Sequence, residues 1–256
     1  MLIVLNGAYK SGSTWLYNIV LELTGYGSPP QEFLNPEWKE PSLLPDRAAK
    51  ALTALRPSDL WLVKNHFHLP EHRTLLLSRP DVRVLDITRD LRDVVVSSYY
   101  HDRRALGFTG TFEEYYWQIG RTFAMKVCRY HALWARPSKQ CYSASYEGLH
   151  ANFEDEIGKL SAFLGIPTTP ERLAEIKQRT TLNALRERYG EQDKKDEKEK
   201  FFRKGVIGDF ANHMDSKMLA DLALLERGAN HEQTRVYRAI RRLKRLVRVV
   251  IPRQKP

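Results

Sequence analysis

With 256 residues, 42% of them hydrophobic and 28% charged, the chain can bury one large core, and no run approaches the roughly 20 apolar residues that span a bilayer. The formal charge of +10 is local: nine Lys/Arg and no acid lie between Arg235 and Pro256, leaving 32 basic against 31 acidic residues elsewhere, so the globular part gives no footing for nucleic-acid binding. Two cysteines, Cys128 and Cys141, exclude a disulfide framework, no metal-ligand spacing is present, and no secretory leader opens the chain, so a cytoplasmic protein is expected.

In chain order, 2–6 (Leu-Ile-Val-Leu-Asn) reads as a strand, 7–14 as a glycine- and serine-rich turn, and the next residues as a helix from about Thr14. Trp15, Leu16, Ile19, Val20 and Leu23 share one face of that helix, and Gly25 stops it. The stretch 27–45, rich in Pro and Glu, reads as irregular. Strands follow at 60–64, 82–88 and 140–145. Asp90 fits an N-cap, with Asp93 three residues on as a capping-box-like partner, opening a helix through Val94, Val95 and Val96. A later helix spans about 153–164 and ends at Gly165. Strands alternating with helices predict a single α/β domain with a mostly parallel central sheet flanked by helices, whose ligands sit at the carboxyl ends of the strands. The domain is expected over 1–234 and a separate tail over 235–256.

The first turn, Gly7-Ala-Tyr-Lys10-Ser11-Gly12-Ser13-Thr14, lies between a strand and a helix, where successive backbone N–H groups and the positive helix end make an anion cradle. Its Gly-x4-Gly spacing matches a Walker A loop, but Ser13 stands where that loop needs lysine, and Lys10 precedes the second glycine instead. A P-loop-like nucleotide-binding core with altered phosphate chemistry is the expectation. The residues Tyr9-Lys-Ser-Gly-Ser-Thr-Trp15-Leu16 resemble the 5'-phosphosulfate loop of sulfotransferases that use 3'-phosphoadenosine 5'-phosphosulfate (PAPS), written P-K-S-G-T-T-W-L, with Tyr9 in place of the proline.

Two further segments agree with that resemblance. Arg89 with Ser97, in Arg-Asp-Leu-Arg-Asp-Val-Val-Val-Ser, is similar to the family's 3'-phosphate motif R-N-P-x-D-x-x-x-S. Arg89 offers a planar, permanently charged fork, and Ser97 follows two turns along the helix. Arg203-Lys204-Gly205-Val-Ile-Gly208-Asp209-Phe210 resembles the closing R-K-G-x-x-G-D-W element. The charged run 191–200 before it reads as a solvated connector and as the hinge of a lid that orders on nucleotide. The resemblance also implies that Tyr146, Thr180, Leu182 and Trp15 line the adenine.

By the same resemblance, the nucleotide site comprises Lys10, Ser11, Gly12, Ser13, Thr14, Trp15, Arg89, Ser97, Tyr146, Thr180, Leu182, Arg203, Lys204 and Gly205, with PAPS as co-substrate, the bisphosphate PAP as product and no metal. Lys64-Asn65-His66 resembles the family's K-T-H, whose histidine is the general base. Lys10, Lys64 and His66 are therefore the expected catalytic residues, and His68, two residues further, is a rival base. The reaction implied is in-line transfer of a sulfuryl group to a hydroxyl or amine of a small-molecule or lipid acceptor. The segment 33–38 with Tyr99, Tyr100, Phe108, Tyr115, Tyr116 and Trp117 is weighed as the wall of the acceptor pocket, but such aromatics are more often core than ligand-facing, so none receives a site role.

In the tail, Val236, Ile240, Leu243, Val247 and Val250 recur at three- and four-residue steps opposite arginines. This is a basic amphipathic helix, suited to an anionic membrane surface or to packing on its own domain or a dimer partner. Two other classes compete. One is a P-loop kinase or NTPase with Val84-Leu85-Asp86 as a Walker B acid, against which Ser13 counts; the other is a non-catalytic nucleotide-binding adaptor at a membrane, against which Lys10 and His66 count.

Overall fold

The computed structural model describes residues 1–191 and 200–228. The expected lid hinge falls mostly on 192–199 and the expected basic helix on 235–256, both outside the described residues.

Four strands, β1 (Leu2–Gly7), β2 (Trp61–Asn65), β3 (Val82–Thr88) and β4 (Cys141–Ser145), form one sheet in the order β2-β1-β3-β4, with every pairing parallel. Successive side chains of a strand point to opposite faces. Leu2 and Val4 of β1 with Val82 and Val84 of β3 therefore supply one core, and Ile3 and Leu5 with Leu85 and Ile87 the other. Burial on both faces is why these strands read as continuous apolar runs.

Helix α1 (Ser13–Thr24) follows β1, α2 (Ala48–Ala54) precedes β2, and α3 (Pro70–Leu77) connects β2 to β3. Helix α4 (Leu91–Ala105) leaves β3. The short α5 (Phe112–Tyr115) then runs through a π-helical turn, Tyr116–Gly120, into α6 (Arg121–Trp134). After β4 come α7 (Tyr146–Ala151), α8 (Phe153–Leu164), α9 (Pro170–Arg179) and α10 (Leu182–Arg188), and a last helix, α11, occupies 216–228. α4 and α6 cover the first face of the sheet; α1, α8 and α9 cover the second.

The outer edge of β2 is not bare. Leu62 N donates to Gly27 O (2.9 Å), Lys64 N to Pro41 O (2.7 Å), and the Asn65 side chain bonds both Leu43 N (3.2 Å) and Leu43 O (2.9 Å). The irregular stretch before α2 is thus laid along an edge strand and satisfies its ladder.

Asp90 caps α4 as the sequence suggests, accepting from Arg92 N (2.8 Å). The capping-box partnership expected of Asp93 is not made. Its buried carboxylate instead receives Gly208 N (2.7 Å) and Phe210 N (3.0 Å), because the closing segment returns across the start of α4 and brings two backbone donors that local pairing could not foresee.

Candidate active site

The strands end in a cavity of about 850 Å³, lined by residues from the β1–α1 loop, the end of β2, the β3–α4 turn, the start of α7, the α9–α10 corner and the segments 37–40 and 201–206. Of the nominated residues, Lys10, Gly12, Ser13, Thr14, Trp15, Lys64, His66, Arg89, Ser97, Tyr146, Thr180, Leu182, Arg203, Lys204 and Gly205 all border it. Ser11 does not: it is fully buried, and its hydroxyl donates to Ala8 O (2.6 Å), closing the loop from within. His68 is exposed and outside the lining. Asp86, the Walker B candidate, points the other way and accepts from the buried Tyr130 hydroxyl (3.1 Å).

The β1–α1 loop has the backbone of an anion cradle. Lys10 adopts a left-handed φ of 69° and Gly12 one of 97° as the N-cap of α1. Gly12 is required twice over, since a Cβ there would lie 2.6 Å from Tyr146 Cδ2. Lys10 Nζ stands 4.6 Å from the centre of the Phe201 ring. Burial, then the neighbouring cations Arg104, Lys64 and Arg89, lower its pKa to about 7. An anion entering here favours the ammonium form that burial and these cations disfavour.

Arg89 leaves β3 with its guanidinium 4.2 Å from the Tyr146 ring centre, and it donates to Val206 O (3.0 Å). Its Nε is buried without a partner, a donor that a phosphate oxygen would satisfy. Arg203 and Lys204 both pair with Asp209 (2.5 and 3.1 Å). Burial would raise the Asp209 pKa, but hydrogen bonds from those two cations hold it well below the usual carboxylate range. The segment is also held from behind, where Glu191 accepts Phe201 N (2.8 Å) and Phe202 N (3.1 Å). On the far side, Trp15 Nε1 donates to Thr180 O (3.0 Å) and its ring packs edge-on against Tyr146 at 5.4 Å, both rings bordering the cavity.

His66 sits at the carboxyl end of β2. Its Nδ1 lies 2.5 Å from Gly7 O, and a carbonyl only accepts, so Nδ1 carries the proton and Nε2 holds the free lone pair. Burial and the adjacent Lys64 lower its pKa to about 3, which keeps the ring neutral. Lys64 is tied to Glu40 in a nearly buried pair (3.2 Å), and Glu40 accepts the Tyr189 hydroxyl on its other oxygen (2.7 Å).

Several lining residues were not nominated as site residues from sequence: Tyr9, Glu37, Trp38, Glu40, His101, His150, Tyr189 and Phe201. Glu37 and Trp38 lie within the segment 33–38 weighed for the acceptor pocket. Tyr99, Tyr115 and Tyr116 are buried in the core, whereas Trp117 is exposed; none of the four borders the cavity. Among the described residues no cluster of His, Cys, Asp and Glu could hold a metal, and no helix is long and apolar enough to cross a membrane.

Residues 2–225 match the family model described as "Sulfotransferase domain". Sulfotransferase 6B1 of Danio rerio is 25% identical over 228 residues, covering 83% of this chain and 74% of that protein. Among solved structures, mouse sulfotransferase SULT7A1 complexed with PAP superposes with a TM-score of 0.67 at 20% identity, covering 88% of this chain and 82% of that one. Retinol dehydratase in a complex with retinol and PAP gives 0.66 at 19%, covering 89% and 80%.

Proposed function

The chain belongs to the sulfotransferase domain family, and from that premise we propose that it transfers a sulfuryl group from PAPS to a hydroxyl or amine of a small-molecule or lipid acceptor. The observation that carries this reading is one cavity bordered at once by Lys10 with the Gly12 cradle, by Arg89 with Ser97, and by the free Nε2 side of a neutral His66. The residues fit an adenine bisphosphate: the Trp15 and Tyr146 rings on the lining, an unpaired Arg89 Nε, and two cations pre-positioned on Asp209. PAPS bound there supplies the activated sulfuryl group.

The chain's own residues then have distinct tasks. Loop N–H groups and Lys10 face the 5' end and offset negative charge that grows on the leaving oxygen. Arg89, Ser97, Arg203 and Lys204 hold the 3'-phosphate. His66 Nε2 takes the proton from the acceptor as its oxygen or nitrogen attacks. Lys64 borders the same cavity as His66 and is held by Glu40. His68, exposed and outside the lining, is the weaker candidate for the base. The kinase alternative loses support because Asp86 is committed to Tyr130 away from the cavity.

Calorimetry tests the nucleotide site: PAP should bind and ATP should bind far more weakly, while equal affinities would overturn the assignment. PAP release from PAPS with an acceptor panel tests turnover. His66→Ala should cost roughly 10²–10⁴ in turnover by the range for a positioned base; a near-normal rate would move the role elsewhere. A cytoplasmic setting, membrane contact through the basic tail and self-association belong to the same proposal. Flotation with anionic liposomes, with and without 235–256, separates a membrane role from a packing one.

A further inference from the structure

A hydrogen bond at Nδ1 fixes one direction in an imidazole and leaves the ring free to rotate about that axis. A second contact must set its plane if Nε2 is to keep one aim. In this chain that contact is the Tyr9 ring, whose centre lies 3.9 Å from that of His66 at an interplanar angle of 26°. Trp38 meets the same imidazole at 5.4 Å and 52°, and Tyr9 at 6.3 Å, so the tryptophan braces the pair as a tilted wall rather than sharing the stack.

Core packing does not explain Tyr9. Half of its surface is exposed (50%), a large share for an aromatic ring, and it stands in the phosphate loop where the family motif has proline. Lys10, which follows it, takes the left-handed conformation that reverses the chain. Two consecutive residues thus border the same cavity, one against Phe201 and the other against the base.

We propose that Tyr9 is the positioning residue of the His66 base: its ring fixes the imidazole plane against the Gly7 carbonyl and keeps water from one face. The proposal rests on the reading of His66 as the base. The groups facing His66 are Lys64 on its own strand, Lys10 on the loop and His68 beyond; Glu40, from the segment alongside, is committed to Lys64 and Tyr189. The cations and burial act together to keep the ring neutral, and removing its aromatic cover relaxes the burial part.

The test uses the full chain and two variants, Tyr9→Phe, which keeps the ring, and Tyr9→Ala, which removes it. Nitrogen-edited NMR of the free protein, with His66 assigned by its loss in His66→Gln, reads tautomer and titration without any reaction. Wild type and Tyr9→Phe should keep the Nδ1–H tautomer and stay neutral down to about pH 4; Tyr9→Ala should titrate at least roughly one pH unit higher with mixed tautomers. In turnover, Tyr9→Ala should lose about 10- to 100-fold, as expected for a misplaced reacting group, with its acid limb moved to higher pH. Tyr9→Phe should keep the wild-type profile. An unmoved His66 titration in Tyr9→Ala, or a Tyr9→Phe that behaves like Tyr9→Ala, overturns the proposal. PAP calorimetry on wild type keeps the two questions apart: failure to bind PAP sinks the function while the NMR result stands, and an unmoved titration sinks the positioning role while the function stands.

Discussion

Lys10 turns a burial cost into a binding signal. With its pKa lowered to about 7, Lys10 is half charged at that pH, nearly fully charged a unit below it and nearly neutral a unit above. The nucleotide's 5'-phosphate favours the ammonium, so binding above pH 7 must take up a proton. The PAP dissociation constant should weaken up to about tenfold per pH unit above 7, and calorimetry at pH 8 in buffers of different ionisation enthalpy should record uptake near one proton. Lys10→Met should lose both effects. Asp86 behaves oppositely: burial raises its pKa to about 7 despite the hydrogen bonds from Tyr130 and Ser143. The folded state then binds a proton that the unfolded state has released, and stability falls as pH rises from about 4 to 7. Asp86→Asn escapes that loss. Relative to wild type, denaturation curves should show it gaining roughly 2–3 kcal/mol between pH 5 and pH 8.

At the scale of elements, the closing segment 203–210 reaches the nucleotide site from far along the chain, and one side chain fastens it. Asp93 holds Gly208 N and Phe210 N on the first turn of α4, while Asp209 inside the segment holds Arg203 and Lys204. Asp93→Ala leaves two backbone donors without their acceptor, each costing about 1–3 kcal/mol if it stays buried. Hydrogen exchange over 203–210 should rise, and PAP affinity should fall at least about tenfold while the far-UV spectrum stays native. The same logic explains which elements were legible. The run from Val82 to Thr88 and the helix from Phe153 to its Gly165 stop coincide with observed bounds, because burial and capping there are local properties. The second strand is displaced by one residue, to Trp61–Asn65, since its ends are set by pairing with β1.

At the scale of the molecule, nucleotide binding is linked to folding of the whole domain. PAP at 100 times its dissociation constant should stabilise the protein by about 2.7 kcal/mol and raise Tm by about 5–10 °C in a thermal-shift measurement. The residues proposed for the nucleotide could be nominated in advance because they come in contiguous blocks, Lys10 to Trp15 among them. The rest of the lining could not. Tyr9, Trp38, Glu40, His101 and Tyr189 are scattered in sequence and meet only after the parallel sheet has set the ends of β1 and β2 side by side. Their chemistry is visible residue by residue, but their company is not.

The backbone that runs along β2 also carries Trp38 and Glu40 to the cavity. A wall built on a sheet margin cannot swing outward without stranding the amides of Leu62 and Lys64. New acceptors are therefore more cheaply admitted by exchanging side chains on that strip than by loosening it, and specificity in this protein should evolve by substitution rather than by loop remodelling.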